Sequence, residues 1–279
     1  MTTNSHPKVS GTTGRDGLPF IDAELGFLGA EPQVARIHDA RPILDELSLD
    51  REGFTMIKHE SELANQNDPE LLRREARAYL EDMAPTIKEV MGASWVVGRH
   101  GGVVVRSATK IDPANPEYAR NRGGIEVPFP NVHLDYTRES AVQLARGENF
   151  QQGLPERPFS RLVIIQAWRA TSAPPQDRPL ALMDASTLGP DDTYAAGPPL
   201  DPDDLSTDNF QPRLVHFKPE HRWYYFPEMV PSEVLLFKGH DSDAKRDAAA
   251  PHSSFLNESL GSRALPRESV EGRYFVYYE

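Results

Sequence analysis

Between residues 68 and 92 the apolar positions recur at helical spacing. Asp68 suits an N-cap, Pro69 suits the first helical position, and "ELLRREARAYLEDM" alternates apolar and charged faces until Pro85 interrupts it. A second helical piece, "TIKEVMG", ends at Gly92. The shorter run "PILDEL" lies upstream, and "FTMIKH" between them alternates like a strand. After Gly92 the texture changes to short β-rich runs: "SWVVG", "GGVVVRS", "RLVIIQAW", "PLALMD", "RLVHFK", "RWYYF", "EVLLFK", "HSSF" and "SVEGRYFVYY". Gly, Pro and Asp separate them, and "RESAVQLARG" is the helical exception. Many short strands with few intervening helices predict a sandwich or barrel rather than βαβ units.

Two stretches carry little to bury. Residues 1–18, rich in Thr, Ser, Gly and Pro, read as a flexible N-terminus. Residues 190–212, "PDDTYAAGPPLDPDDLSTDNFQP", are too long and polar for a tight hairpin and read as an active-site cover or as a plain surface insertion. The remaining 19–279 read as a single domain, with a helical and mixed part over 19–92 and a β-rich core over 93–279.

Composition narrows the chemistry. The 279 residues, 38% of them hydrophobic, suffice for one large core. A formal net charge of −12 without a Lys/Arg-rich run disfavours nucleic acid as a partner. No cysteine is present, so a protein-held metal must use His, Asp or Glu. The first residues lack the basic and apolar regions of a signal peptide, and no apolar run approaches the length of a membrane span. The expectation is a soluble, cytoplasmic protein that takes a small-molecule substrate, with homo-oligomerisation left open.

"PNVHLDYTRES" places His133 and Asp135 two apart, on one face if the segment is extended. With 9 histidines in the chain the pair alone is weak evidence, since a polar turn reads the same way. A second histidine sharpens it, because two His and one carboxylate on one side of a metal form the facial triad of non-heme Fe(II) oxygenases. His252, opening the β-like run "HSSF", is the best candidate, with His216, His221 and His240 as competitors. Downstream, Arg267, Ser269 and Arg273 share a face if their segment is a strand, and Arg-x-Ser suits a carboxylate gripped by a guanidinium and a hydroxyl. A salt-bridged strand face of Arg267, Glu271 and Arg273 accounts for the same pattern.

"NVHLDYT", "IIQAWRA", "RPLALMDAST", "HRWYYFPEMVPSEVLLFK", "HSSF" and "PRESVEGRYFV" occur in the order seen in a known group. Over about residues 95–279 the chain resembles the AsaB-type hydroxylase/desaturase family of non-heme Fe(II)/2-oxoglutarate-dependent oxygenases, to which proteins similar to the accessory component of cephalosporin methoxylation and the aziridine-forming oxygenases also belong. The resemblance implies a double-stranded β-helix (jelly roll, cupin-like) core, mainly β with flanking helices and an N-terminal helical extension. It also implies Fe(II), 2-oxoglutarate as co-substrate and O2. Carried over, the metal ligands fall on His133, Asp135 and His252, and the carboxylate anchors on Arg267 and Ser269. Gln166 and Arg273 join the co-substrate site, although family members often have Asn at the Gln166 position. His240 departs from the pattern too, where an aromatic residue is more usual. Tyr136, Trp168, Arg169, Trp223 and Tyr225, with Tyr224 between the last two, are candidates for the substrate pocket or, as strand aromatics commonly are, for the core. The activity implied is hydroxylation, desaturation or oxidative cyclisation of a secondary metabolite by hydrogen abstraction. A 2-oxoglutarate-independent or non-oxidative metalloenzyme, or a silent accessory protein on the same fold, are the rival readings.

Overall fold

The alternating runs become strands in two facing sheets of a computed structural model that describes residues 17–110, 124–155, 157–201, 203–206 and 209–279. In chain order the strands are β1 (Phe20–Leu25), β2 (Gln33–Asp39), β3 (Phe54–Lys58), β4 (Trp95–Gly98), β5 (Val104–Ser107), β6 (His133–Leu134) and β7 (Arg161–Ala170). They continue as β8 (Leu180–Met183), β9 (Thr193–Ala195), β10 (Arg213–Val215), β11 (Trp223–Tyr225), β12 (Glu233–Asp241), β13 (His252–Ser254) and β14 (Glu268–Tyr278). The helices are α1 (Glu62–Asn65), α2 (Pro69–Arg74), α3 (Ala76–Met91) and α4 (Arg138–Gln151).

One sheet has the order β1-β2-β11-β8-β13-β6-β10-β9, and the other β3-β12-β7-β14-β4 with β5 also on β14. Among the described strands β2 pairs with β11 in parallel, and the other neighbours are antiparallel. Strand neighbours distant in sequence, in two curled and mostly antiparallel sheets with few helices, make a jelly roll, the double-stranded β-helix architecture.

Side-chain alternation sorts each sheet into two faces. On β7 and β14, Val163, Ile165, Ala167, Tyr274 and Val276 point outward onto Leu80, Met83 and Ile87 of α3. The neighbours Trp168 and Ala170 point inward and join Leu182, Tyr224, Leu235 and Phe237 between the sheets. Each such buried side chain contributes about 1.5–3 kcal/mol relative to exposure. On the eight-stranded sheet, Ile37, Trp223, Met183 and Leu134 form the outer layer with Leu25, Tyr225 and Phe255.

The N-terminal part holds more strand than its sequence pattern indicated. β1 and β2 extend the eight-stranded sheet, and Leu18 is buried in the inner cluster; residues 1–16 of the expected N-terminal lead-in lie outside the described ones. "PILDEL" is a 3-10 helix, Arg41–Glu46. Asp68 caps α2 by accepting from the Leu71 amide, and Gly92 closes α3 in a left-handed conformation at φ 60°. The helix does not stop at Pro85, however. That residue lies on the solvent side, where the carbonyl it leaves unpaired can turn to water, while buried Met83 and Ile87 hold the next turn on the sheet. The break falls instead at Glu75, whose φ/ψ of −97°/24° separates α2 from α3.

Two arginines tie this part to the core. Arg41 forks onto both Glu233 oxygens at 2.8 Å each and donates to the Pro227 carbonyl. Fully buried Arg169 donates to the Tyr79 hydroxyl at 3.1 Å and to the carbonyls of His59 and Pro231 at 2.9 and 3.1 Å.

Candidate metal centre

Strand register places the three metal-type residues on one surface. His38, Tyr224, Leu182, His252 and His133 lie opposite one another across successive strands and therefore share the inner face. Asp135, two residues after His133, follows on the same side, while Leu134 between them points into the outer cluster. The backbone then fixes the imidazoles. His133 Nδ1 lies 2.9 Å from the Asn131 carbonyl and His252 Nδ1 3.2 Å from the Ala250 carbonyl, so each Nδ1–H donates and each Nε2 keeps its lone pair. Both Nε2 atoms face the Asp135 carboxylate, at 3.7 Å for His133 and 3.9 Å for His252.

One ligand atom from each residue lies within 4.8 Å of the others. Donors about 2.1 Å from a first-row metal on mutually perpendicular bonds stand about 3 Å apart, so a small contraction seats an ion. Electrostatics prepares the donors. Burial, aided by the neighbouring His252, pushes His133 down to about 3, so it is neutral at pH 7 and free to ligate. Burial acts to raise Asp135, but the charge of Arg273 above all holds it below the usual carboxylate range. Two Nε2 donors and one carboxylate, gathered on one face, fit Fe(II).

Asp135 is itself gripped. Gln166 on β7 donates its amide to Oδ2, and Arg273, directly opposite Gln166 on β14, donates to Oδ1 at 3.3 Å. Arg273 Nε also donates to Glu271 at 2.8 Å. Gly239 is required here, because a Cβ would come within 2.7 Å of the Gln166 side-chain oxygen and 2.9 Å of the Tyr136 ring. Phe129 and Phe237 wall the imidazoles, with ring centroids 4.9 Å from His133 and 4.7 Å from His252.

A second buried cation lies just before β14. Arg267 is 1% exposed, yet its Nε and Nη1 have no hydrogen-bond partner. Its guanidinium lies 5.5 Å over the ring of Trp168, two residues from Gln166, which brings it back toward the metal ligands. Burial, followed by repulsion from Arg106, pushes it down to about 9. A buried guanidinium with open donors is costly unless an anion fills the fork. The donor chemistry fits the distal carboxylate of a dicarboxylate, and Ser269, two residues on at the start of β14, is buried as well.

Arg106 was missed by sequence reasoning. It lies opposite Ser269, bonds the Val127 carbonyl at 2.7 Å and pairs with Glu126 at 2.9 Å. It sits inside "GGVVVRS", and the one available signal was that alternation along β5 points it inward with Ser269.

The other sequence candidates divide by face. Tyr136 is buried beside Gly239 and Ile164, with its hydroxyl unpartnered, close to the metal ligands. Trp168 underlies Arg267. Arg169, one residue later, points to the opposite face and clamps Tyr79, His59 and Pro231, so it does not join the pocket. Trp223 and Tyr225 belong to the outer layer, and Tyr224 is the inward-facing one. Gln166 and Arg273, expected at the co-substrate, contact Asp135 instead.

The competing histidines lie elsewhere. His216 stacks on Tyr194, and His221 bonds Asp192 at 2.9 Å. A β-bulge brings His240 opposite Ile164, with Nδ1 3.7 Å from Asp247 and Nε2 buried without a partner. In the 190–212 stretch, Asp204 and Gln211 bind α4 through Gln143, Thr137 and Ser140.

The family model described as "Oxidoreductase/YMDC permease-like domain" matches residues 21–277. Among the described residues no helix is long and apolar enough to cross a membrane. The chain is 28% identical over 258 residues to the "Fe(II)/2-oxoglutarate-dependent dioxygenase nvfI" of Aspergillus novofumigatus, covering 88% of this chain and 84% of that protein. It is 31% identical over 260 residues to the "Hydroxylase/desaturase efuI" of Hormonema carpetanum, with the same coverages of 88% and 84%. The solved structure of the "iron and alpha-ketoglutarate-dependent endoperoxidase NvfI" shares the fold at a TM-score of 0.70 and 24% identity, over 93% of this chain and 98% of that one. The chain belongs to this oxidoreductase family and, within it, to the AsaB-type hydroxylase/desaturase group of Fe(II)/2-oxoglutarate-dependent dioxygenases.

Proposed function

We propose that His133, Asp135 and His252 hold Fe(II), that Arg267 and Ser269 anchor the distal carboxylate of 2-oxoglutarate, and that the chain oxidises a small molecule of secondary metabolism by hydrogen abstraction, ending in hydroxylation, desaturation or oxidative cyclisation. The observation that carries the reading is the convergence of two Nε2 lone pairs and one ionised carboxylate on the inner face, on the same side of the core as an unpartnered buried guanidinium. Fe(II) with 2-oxoglutarate and O2 supplies oxidative decarboxylation to succinate and CO2 coupled to removal of a hydrogen atom from the substrate.

The protein's part is positional. The Asn131 and Ala250 carbonyls fix both imidazole tautomers, so that the two Nε2 atoms and the Asp135 carboxylate would hold the iron from one face of the core. Arg267, held over Trp168, would neutralise the distal carboxylate of the co-substrate. Phe129, Phe237 and Tyr136 keep water away from the ligands and border the space for substrate.

Anaerobic addition of Fe(II) and 2-oxoglutarate tests the reading. The weak visible charge-transfer band of the chelate is expected in the native protein and not in His252→Ala. Stoichiometric iron binding with no band in the native protein would sink the co-substrate assignment and favour a 2-oxoglutarate-independent metalloenzyme. No iron binding at all would favour an accessory protein.

A further inference from the structure

We propose that Glu271 is a positioning residue of the metal centre: acting through Arg273, it holds the guanidinium against Asp135 and cancels its charge, so that the pocket stays net negative for a divalent cation. The inference rests on the reading of His133, Asp135 and His252 as ligands. It also gives Arg273 a task other than the co-substrate.

The geometry is a relay on one strand. Glu271 accepts from Arg273 Nε at 2.8 Å, and the same guanidinium reaches Asp135 Oδ1 through Nη2 at 3.3 Å. Gln166, opposite Arg273 in the register, holds the other carboxylate oxygen. Asp135 and Glu271 are each 7% exposed and Gln166 1%, so these contacts are poorly screened by water. A carboxylate held at both oxygens by fixed donors keeps one orientation toward the ion, the task that partners behind a ligand perform at metal sites.

Charge counting shows why an arginine alone would not serve. Within the bonded chain Asp135–Arg273–Glu271, Asp135 contributes −1 and Arg273 +1, so that pair alone would present no net charge to a dication. Glu271 restores −1. A buried ion pair replaced by apolar residues of similar volume is often as stable or more so, so fold stability does not account for placing Glu271 and Arg273 beside Asp135. Metal electrostatics does.

The test uses the full chain and Co(II), whose visible bands report binding and ligand geometry without turnover. Four proteins are titrated, with thermal unfolding recorded for each: native, Glu271→Gln, Glu271→Gln combined with Arg273→Met, and His252→Ala. Glu271→Gln is nearly isosteric and is expected to weaken Co(II) binding about 10- to 100-fold, the range for losing a partner behind a ligand. The double variant returns the pocket to −1 and is expected to bind at least several-fold more tightly than Glu271→Gln alone, with a Co(II) spectrum altered by the freed carboxylate. Native-like affinity in Glu271→Gln, while His252→Ala fails to bind, overturns the proposal and leaves the ligand assignment standing. A double variant no tighter than Glu271→Gln overturns the charge argument. Native-like binding by His252→Ala instead strikes the ligand reading itself.

Discussion

Replacing Arg267 with Met is expected to stabilise the protein on its own and to remove its stabilisation by 2-oxoglutarate. In the native chain this guanidinium is buried, pushed down to about 9 by desolvation and then by Arg106, and carries two unpartnered nitrogens. Exchanging buried charge for apolar volume is commonly neutral or stabilising by about 1–4 kcal/mol. Methionine keeps the unbranched stem but loses the attraction to the Trp168 ring, about 0.5–2 kcal/mol. A net gain of about 1–2 kcal/mol follows, a rise in Tm of roughly 2–6 °C at this chain length. The ligand term has the opposite sign. With Mn(II) bound and 2-oxoglutarate at about 100 times its Kd, mass action adds about 2.7 kcal/mol to the native protein. Losing two charge-assisted hydrogen bonds of about 1.5–3 kcal/mol each raises Kd by more than about 100-fold and cuts that gain to a few tenths. Thermal unfolding with and without 2-oxoglutarate, both with Mn(II), should therefore show the curves crossing: the variant melts higher alone and lower with ligand. A variant that melts lower alone and keeps the full ligand shift would refute the idea that this guanidinium is held open for an anion.

Other residues give sharper or weaker effects for stated reasons. Arg169→Met leaves the Tyr79, His59 and Pro231 oxygens without their donor and should cost about 3–5 kcal/mol in urea unfolding while Co(II) affinity stays within a few-fold. Trp168→Leu should raise the Kd for 2-oxoglutarate about 10-fold, whereas Trp223→Phe, on the outer layer, should leave it unchanged; equal effects would show that the two faces are misassigned. Glu233 is held below the usual carboxyl range, chiefly by its hydrogen bonds from Arg41. Its stabilisation is thus complete above the unfolded pKa of about 4.3 and lost as pH falls through the lower folded value. Urea midpoints of Glu233→Gln measured from neutral pH down to about pH 3 should fall less steeply with acid than those of the native protein. Gly239→Ala drives a Cβ against the Gln166 oxygen at 2.7 Å and should weaken Co(II) binding by disturbing the grip on Asp135, with Gly239→Ser at least as damaging.

Much of the β-rich core was legible because period-2 alternation is a local signal, and "HLD", "HSSF" and "RES" mark the inner face by the chemistry that they carry. Phase was harder to read. "WYY" offers three consecutive aromatics, and nothing within the tripeptide says that Tyr224 rather than Trp223 and Tyr225 faces inward; that is set by pairing with His38 and Leu182 on strands distant in sequence. "AWRA" held a clue that went unused, since Trp168 and Arg169 are adjacent on one strand and cannot both line the same pocket. β1 and β2 eluded the pattern for a related reason. β2 gains its place through parallel pairing with β11, a contact across almost 190 residues that local periodicity cannot report.

The two arginines on or beside β14 show how neighbouring charge decides what one residue type does. Arg267 and Arg273 are six residues apart and turn toward the same interior, and both are buried. Burial alone would depress either one. At Arg273 the neighbouring Asp135, Tyr136 and Glu271 overcome it and hold the guanidinium well above its ordinary value; at Arg267 burial and then repulsion from Arg106 prevail over the pull of Asp177 and Glu268, and the group falls to about 9. Arg273 is therefore electrostatically complete before any ligand arrives, and an added carboxylate would compete with partners already within hydrogen-bond distance. Arg267 keeps two nitrogens without a hydrogen-bond partner, which an entering dicarboxylate would fill. One segment, β14 and the residue just before it, thus holds one arginine already committed to Asp135 and one kept free, an arrangement that would let a dianionic co-substrate be drawn to the free one without pulling Asp135 out of position.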